Sequence, residues 1–218
     1  MDEGMVTGYY TIERHADYYI IRFFRSMRRF SSAPYNGGIG ESIAYANRQV
    51  ERNYCSDPGV EIPQFLGRHN IDAKGITVTI TACPVWDFVL IEDNVGDRFL
   101  TTAITAGSGN ALSMGSKGSQ GSGTVNICVL TDFPLSDSGT MNLYQTIVEA
   151  KAQAFNDLGI MDRTTGKVSP GTSTDTVSIF VASRGKDMEF GGRLTDVGHR
   201  ISLTVYENIG TALQKCLD

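Results

Sequence analysis

Four short stretches set neutral hydrogen-bonding side chains among small residues: Asn36-Gly37-Gly38, Ser108-Gly109-Asn110, Gly123-Thr124-Val125-Asn126 and Thr172-Ser173-Thr174-Asp175. Carboxamides, hydroxyls and main-chain N–H groups left open by glycine are the parts of a site that recognises amides or steadies an oxyanion. Each stretch is also, taken singly, an ordinary tight turn or strand start. Hydrolysis needs a carboxylate beside them, and two are candidates. Glu149, in "VEAKAQ", shares a polar helix side with Gln145, Thr146 and Gln153, where partial desolvation would raise its pKa toward acid or base work. A solvated helix face is the plainer account of it. Asp175 closes the fourth stretch, and either carboxylate would activate water. A second chemistry uses a hydroxyl: Thr124, Thr172 or Ser136, activated by Glu149, Lys151 or Asp175, would form an acyl-enzyme. Gly123-Thr124 also has the small-residue-then-threonine form at which self-cleaving N-terminal-nucleophile enzymes break.

Other chemistries fail on spacing or charge. The run Gly118 to Gly123 has the interval of a phosphate-binding loop, but Thr124 follows where a lysine is required. Gly107-x-Gly109 meets Leu112 where a dinucleotide fingerprint needs its third glycine. His15, His69 and His199 form no array with metal-ligand spacing, so no metal site is expected. A net charge of −5 and a pI near 5.2 argue against nucleic acid as a partner. The basic cluster Arg22, Arg25, Arg28 and Arg29 lies within the apolar "YYIIRFFRSMRRF" and reads as a solvated or ligand-facing edge. The start "MDEGMVTGYY" lacks a secretory pattern, and no run approaches the ~20 apolar residues of a membrane span. A cytoplasmic protein without a membrane partner is the expectation. Cys55, Cys83, Cys128 and Cys216, with no Cys-x-x-Cys, are then expected to be reduced and mostly buried thiols.

The elements that must hold these residues follow from periodicity. Period-2 or continuous apolar runs predict strands at 18–24, 76–82, 86–92, 98–105, 124–131 and 176–182. Helical spacing predicts 136–158, with Ser136 or Asp137 as N-cap and Gly159 as stop, and 196–217, with Thr195 as N-cap and Val197, Ile201, Val205, Ile209 and Leu213 on one stripe. A weaker helix is expected near 60–69. The run 76–82 is too close to 86–92 for a crossover helix, so the two are expected to form an antiparallel hairpin. The class is α+β: one layered domain over 1–218, with helices packed on the faces of a largely antiparallel or mixed sheet. The polar loops flank strand ends, where a rigid sheet can support chemistry.

In order along the chain, "SSAPYNGGIG", "TAGSGNA", "GTVNICVLTDFPLSDSGTMN", "TIVEAKAQAFNDLGI", "GTSTDTVSIFVA" and "FGGRLTDVGHRISLTVYENI" resemble the adenosylcobinamide amidohydrolases, the CbiZ family of corrinoid salvage. The resemblance covers roughly residues 31–215 and is most specific from Gly123 to Gly159. It departs from the family at Arg48, where a histidine often follows the asparagine at the position of Asn47. It implies hydrolysis of the amide joining aminopropanol to adenosylcobinamide, with the cobalt arriving inside the substrate and no further cofactor. Under that reading 105–123 forms a wall of a wide cleft. Asn36, Ser108, Asn110 and Asn126, with Gly37, Gly38 and Gly109, bind corrin amides or polarise the scissile carbonyl, while Glu149 or Asp175 activates water. Ser136, Asp137, Lys151, Thr172 and Thr174 complete the expected binding set. An edge strand and the amphipathic last helix make a homodimer reasonable. A corrinoid-binding module without turnover, or an amidase for another small amide, would use the same groups.

Overall fold

The computed structural model describes residues 8–118, 121–183 and 185–217. Most of the N-terminal stretch read for a secretory signal, and Ser119-Gln120 of the glycine-serine loop, lie outside the described residues. The elements run β1 (Tyr10–Arg14), β2 (Tyr18–Ser31), β3 (Gly38–Gln49), α1 (Pro58–Arg68), β4 (Ile76–Thr81), β5 (Val89–Val95), β6 (Arg98–Ala106), β7 (Val125–Thr131), α2 (Asp137–Asp157), β8 (Thr176–Val181) and α3 (Asp196–Leu217). All eight strands join one mixed sheet in the order β4-β3-β2-β8-β7-β6-β5, with β1 against β2.

β2 joins the two halves of this sheet. Its first part pairs with β1 and β3, while Arg28 to Ser31 pair with Val181 to Ser178 of β8, and its register against β3 shifts between Arg22 and Met27. Such a shift bends a strand and sharpens its twist. The two halves therefore curl until their inner faces meet around Tyr19, Phe23, Tyr45, Phe88, Leu130 and Phe180. Outside, α1 lays Ile62, Phe65 and Leu66 on Ile20, Ala44 and Val78. On the opposite outer face α2 and α3 cover β6 to β8 with Leu143, Ile147, Ala154, Val197, Ile201 and Val205. The layers run helix, strand, strand, helix. Because β7 is covered on both faces, all seven of its residues are buried, which is why it reads as an unbroken apolar run.

The helix signals act as read. The Ser136 hydroxyl accepts the Gly139 N–H at 3.0 Å and Thr195 accepts that of Gly198 at 3.1 Å. Gly159, at φ +64°, ends α2. The weaker helix starts two residues early, because Asp57 caps it and Pro58 opens it.

Three expectations are corrected. The 76–82/86–92 hairpin does not form: β4 pairs in parallel with β3 at one sheet edge, and β5 pairs with β6 at the other. The link between them is no tight turn, since its Cys83, Val85 and Phe88 are buried. Cys83 and Cys216 are not reduced thiols but form a disulfide that ties the segment after β4 to the last turn of α3, across 133 residues of sequence. Cys128 is a buried free thiol, raised well above its usual pKa by burial, and Cys55 is free and exposed. Within the arginine cluster, Arg29 is 6% exposed and donates to the Glu41 carbonyl and the Ser42 hydroxyl at 3.0 Å. Arg22, half exposed, pairs with Glu13 of β1 at 2.5 Å, and Arg28 pairs with Asp137 at the start of α2 at 2.7 Å, so the cluster is divided: Arg22 and Arg29 brace neighbouring strands, Arg28 ties β2 to α2, and Arg25 is exposed.

Candidate active site

The sheet topology gathers one set of strand ends. Gln49 of β3 stands beside Thr81 of β4, Ala106 of β6 beside Val125 of β7, and Asn126 beside Thr176 of β8. The loops leaving β3, β4 and β6 and those entering β7 and β8 enclose a cavity of about 550 Å³, bordered by Glu51, Arg52, Tyr54, Asn110, Gly123, Thr124, Thr174 and Asp175. Arg52, Ala82, Gly121 and Ser122 separate it from a neighbour of about 520 Å³ that holds Ser108, Gly109, Arg163 and the disulfide.

The wall entering β8 is organised by Asp175. Its carboxylate accepts from the main-chain N–H groups of Val125 and Thr172, both at 3.0 Å, and from the Thr172 hydroxyl at 2.5 Å. It also accepts from the ammonium of Lys151, which reaches it from the middle of α2. The two side chains are 10% and 13% exposed, so this is a nearly buried ion pair with its remaining valences satisfied. Gly171 is required beside it: a Cβ there would lie 2.3 Å from Asp175 Oδ2 and 2.4 Å from Lys151 Nζ. Two threonines lace the adjoining strands together. Thr124 donates to the Thr174 carbonyl at 2.8 Å, and Thr174 donates to that of Gly123 at 3.1 Å.

Asn110 is placed differently. Its amide donates to Ser173 at 2.9 Å and it is only 6% exposed, yet its Oδ1 has no partner among the described residues. A buried acceptor without a donor costs about 1–3 kcal/mol, a cost that a ligand N–H would remove. Beneath the cavity Asn126, fully buried, donates to Asn47 at 3.0 Å and to the Ile80 carbonyl at 2.9 Å and accepts from Thr176 at 2.8 Å. Asn47 donates in turn to Thr105 at 2.9 Å. This polar clamp joins the two sheet halves. The neighbouring Arg48 turns outward onto α1, pairing with Glu61 over the Phe65 ring.

The structure thus brings together Thr124, Asn110, Thr174 and Asp175, with Lys151 and Thr172 bound to Asp175, Asn126 beneath, and Ser108 and Gly109 next door. Other expected residues stand elsewhere. Asn36 donates to the Ile76 carbonyl at 3.0 Å in the turn between β2 and β3, which Gly37 and Gly38 complete; it is Ser32 and Pro34 of that segment that border the cavity. Ser136 caps α2 and Asp137 pairs with Arg28. Glu149 borders a different cavity of about 1000 Å³ between α2 and α3, with Met114, Val168, Arg193, His199 and Tyr206. There it accepts from Gln145 at 3.0 Å and lies 3.6 Å from Arg193.

Glu51, Arg52 and Tyr54 of the β3–α1 loop carried no sequence signal, because "VERNY" has neither periodicity nor glycine and is brought to the cavity only by sheet order. Burial, and after it the Glu61 carboxylate, raises the Tyr54 phenol, which stays protonated at neutral pH. Among the described residues no group of three His, Cys, Asp or Glu is placed to hold a metal ion, and no helix is long and apolar enough to cross a membrane.

A stretch of 94 residues is 33% identical to an uncharacterized protein of Methanocaldococcus jannaschii; it covers 43% of this chain and 36% of that protein's length. The model of one family matches residues 4–218, so β1 and β2, left outside the resemblance read from the sequence, fall within it. On that match across nearly the whole chain, the protein belongs to the adenosylcobinamide amidohydrolase family, CbiZ.

Proposed function

We propose that the protein hydrolyses the amide between aminopropanol and the corrinoid in adenosylcobinamide, releasing adenosylcobyric acid for return to coenzyme B12 synthesis, and that it does so in the strand-end cavity. The observation that carries this reading is the family match over residues 4–218. The site supports it through its neutral donors and acceptors, which suit an amide-bearing ligand better than a charged one. Asn110, whose Oδ1 is buried without a partner, accepts an amide N–H of the substrate once its side chain turns toward the cavity it borders. Arg52, between the two cavities, faces both the reacting arm and the bulk of the ligand. The corrinoid brings its own cobalt.

Water is the nucleophile in this reading. Thr124 directs its hydroxyl proton at the Thr174 carbonyl, which is no base; Ser136 is spent as the cap of α2; and Thr172 does donate to Asp175, but that carboxylate is already neutralised by the Lys151 ammonium and is a weak base for an acyl-enzyme route. The Lys151–Asp175 pair positions the Thr172–Thr174 segment and the start of β7. Incubation of the purified protein with adenosylcobinamide, followed by mass spectrometry, is expected to show adenosylcobyric acid and free aminopropanol. Tight binding without either product would overturn hydrolysis in favour of a corrinoid carrier. Detection of only the intact chain is expected alongside, and cleavage before Thr124 would restore the self-processing route.

A further inference from the structure

Hydrolysis by water is served by a general base with a free lone pair beside the scissile bond, and the candidates on the border of this cavity are two carboxylates, Asp175 and Glu51. Asp175 is engaged by four donors, including a buried ammonium, and its loss would dismantle the wall it organises. Glu61, the nearest acid on α1, is held by Arg48, Arg68 and Tyr54. Glu149 belongs to the other cavity and pairs with Arg193. Glu51 differs from all three. Its backbone is fixed: Gln49 donates to Asp17 at 2.7 Å, Val50 to Thr81 at 2.8 Å, and Tyr54 to the carbonyl of Glu51 itself at 3.0 Å. Its side chain is exposed at the rim of the cavity, and its carboxylate has no hydrogen-bond or ion-pair partner among the described residues. A pinned backbone under an uncommitted acid, at the rim of the cavity that also holds the unpartnered Oδ1 of Asn110, leaves a carboxylate whose orientation and burial a bound substrate would complete.

We infer that Glu51 is the catalytic base of this cavity, an inference that rests on the hydrolytic reading above. Its carboxylate takes a proton from water as the water oxygen bonds to the amide carbon and the carbonyl π pair moves onto oxygen. The same proton then passes to the amide nitrogen as the C–N bond breaks and the carbonyl re-forms. Adenosylcobyric acid and aminopropanol leave, with Glu51 again a carboxylate. Seating a corrinoid over the cavity excludes bulk water from the acid and leaves the attacking water between them. Arg52, the next residue, lies on the border of both cavities and accompanies the substrate rather than the proton.

The test compares wild type, Glu51→Gln, Glu51→Asp and Glu51→Ala for adenosylcobyric acid formation and, separately, for binding of adenosylcobinamide by equilibrium dialysis. Loss of a general base costs about 10²–10⁴-fold in turnover. Glu51→Gln is expected to lose kcat in that range with Kd unchanged, Glu51→Asp to recover part of it, and Glu51→Ala to regain turnover in added formate. Wild-type kcat in Glu51→Gln would overturn the assignment and leave hydrolysis standing. Losses of kcat and binding together, without rescue by Asp or formate, would also overturn it. No product from the wild type would overturn the hydrolytic reading itself, and the base with it.

Discussion

The strand-end cavity, whose wall α2 braces through Lys151, and the larger cavity that α2 itself lines with α3 are built on different terms. In the first, main-chain ends of five strands supply the walls, and the side chains are held by many short contacts, as at Asp175, Thr124 and Asn110. In the second, the walls are helix faces and loops, the lining is mainly apolar, and its charged groups are half exposed, as in the Glu149–Arg193 pair at 42% and 68%. Size alone would favour the second. Rigid support and an open buried acceptor favour the first, because a reacting group must be held within a fraction of an ångström to be useful.

The sharpest way to test this contrast is to break the pair that joins α2 to the strand ends. Lys151→Ala leaves the Asp175 charge buried and is expected to lower stability by about 3–5 kcal/mol and abolish turnover. Denaturant unfolding and product formation measure the two. Lys151→Met/Asp175→Leu together should recover much of the stability and none of the activity; recovery of both would mean that the pair holds no site. Next in size is the disulfide beside the neighbouring cavity. Cys83→Ala/Cys216→Ala should cost about 2–4 kcal/mol, read as a fall in Tm that a reductant reproduces in the wild type and not in the variant.

Asn110→Ala removes the open acceptor. A loss of about 1–3 kcal/mol in substrate binding is expected, appearing as a raised KM, and an unchanged KM would take Asn110 out of the site. Asp162 tests the second region. The Ser113 N–H first, then the Thr164 N–H and the Ser113 hydroxyl, hold its carboxyl well below the usual range. Its contribution to stability is therefore complete above about pH 4, the ordinary carboxylate value, and is lost as pH falls through the lower folded value. Asp162→Asn should destabilise at neutral pH, with the difference from wild type shrinking in strong acid and turnover little changed. Glu149→Gln should have the smallest effect, with wild-type turnover. A collapse of activity in that variant would transfer the chemistry to the larger cavity.

The legibility of the chain follows burial. β7 and β8, covered on both faces, appear as apolar runs, and α2 and α3 carry a 3.6-residue stripe with hydroxyl caps at their starts. β3 is missing from the strands that periodicity predicts because "GIGESIAYANRQ" is small and polar over much of its length, and only pairing with β2 and β4 makes it an inner strand. Periodicity predicts β2 only over 18–24 for a related reason: Arg28 and Arg29 look like solvent residues until Asp137, the Glu41 carbonyl and the Ser42 hydroxyl are placed beside them. Among the site residues, Asn110, Thr124, Thr174 and Asp175 stood out as polar groups set beside glycine, whereas Glu51 had nothing local to mark it.

Local physics therefore determined, from sequence alone, the helices, the central strands, their caps and the loops rich in hydrogen-bonding groups, since periodicity and capping act over a few residues. Strand order, the Cys83–Cys216 bond, the division of Glu149 from Asp175, and the arrival of Glu51 at the cavity were decided by tertiary structure. Each depends on which distant segments meet when the bent β2 brings two half-sheets face to face, and no short-range pattern encodes that meeting.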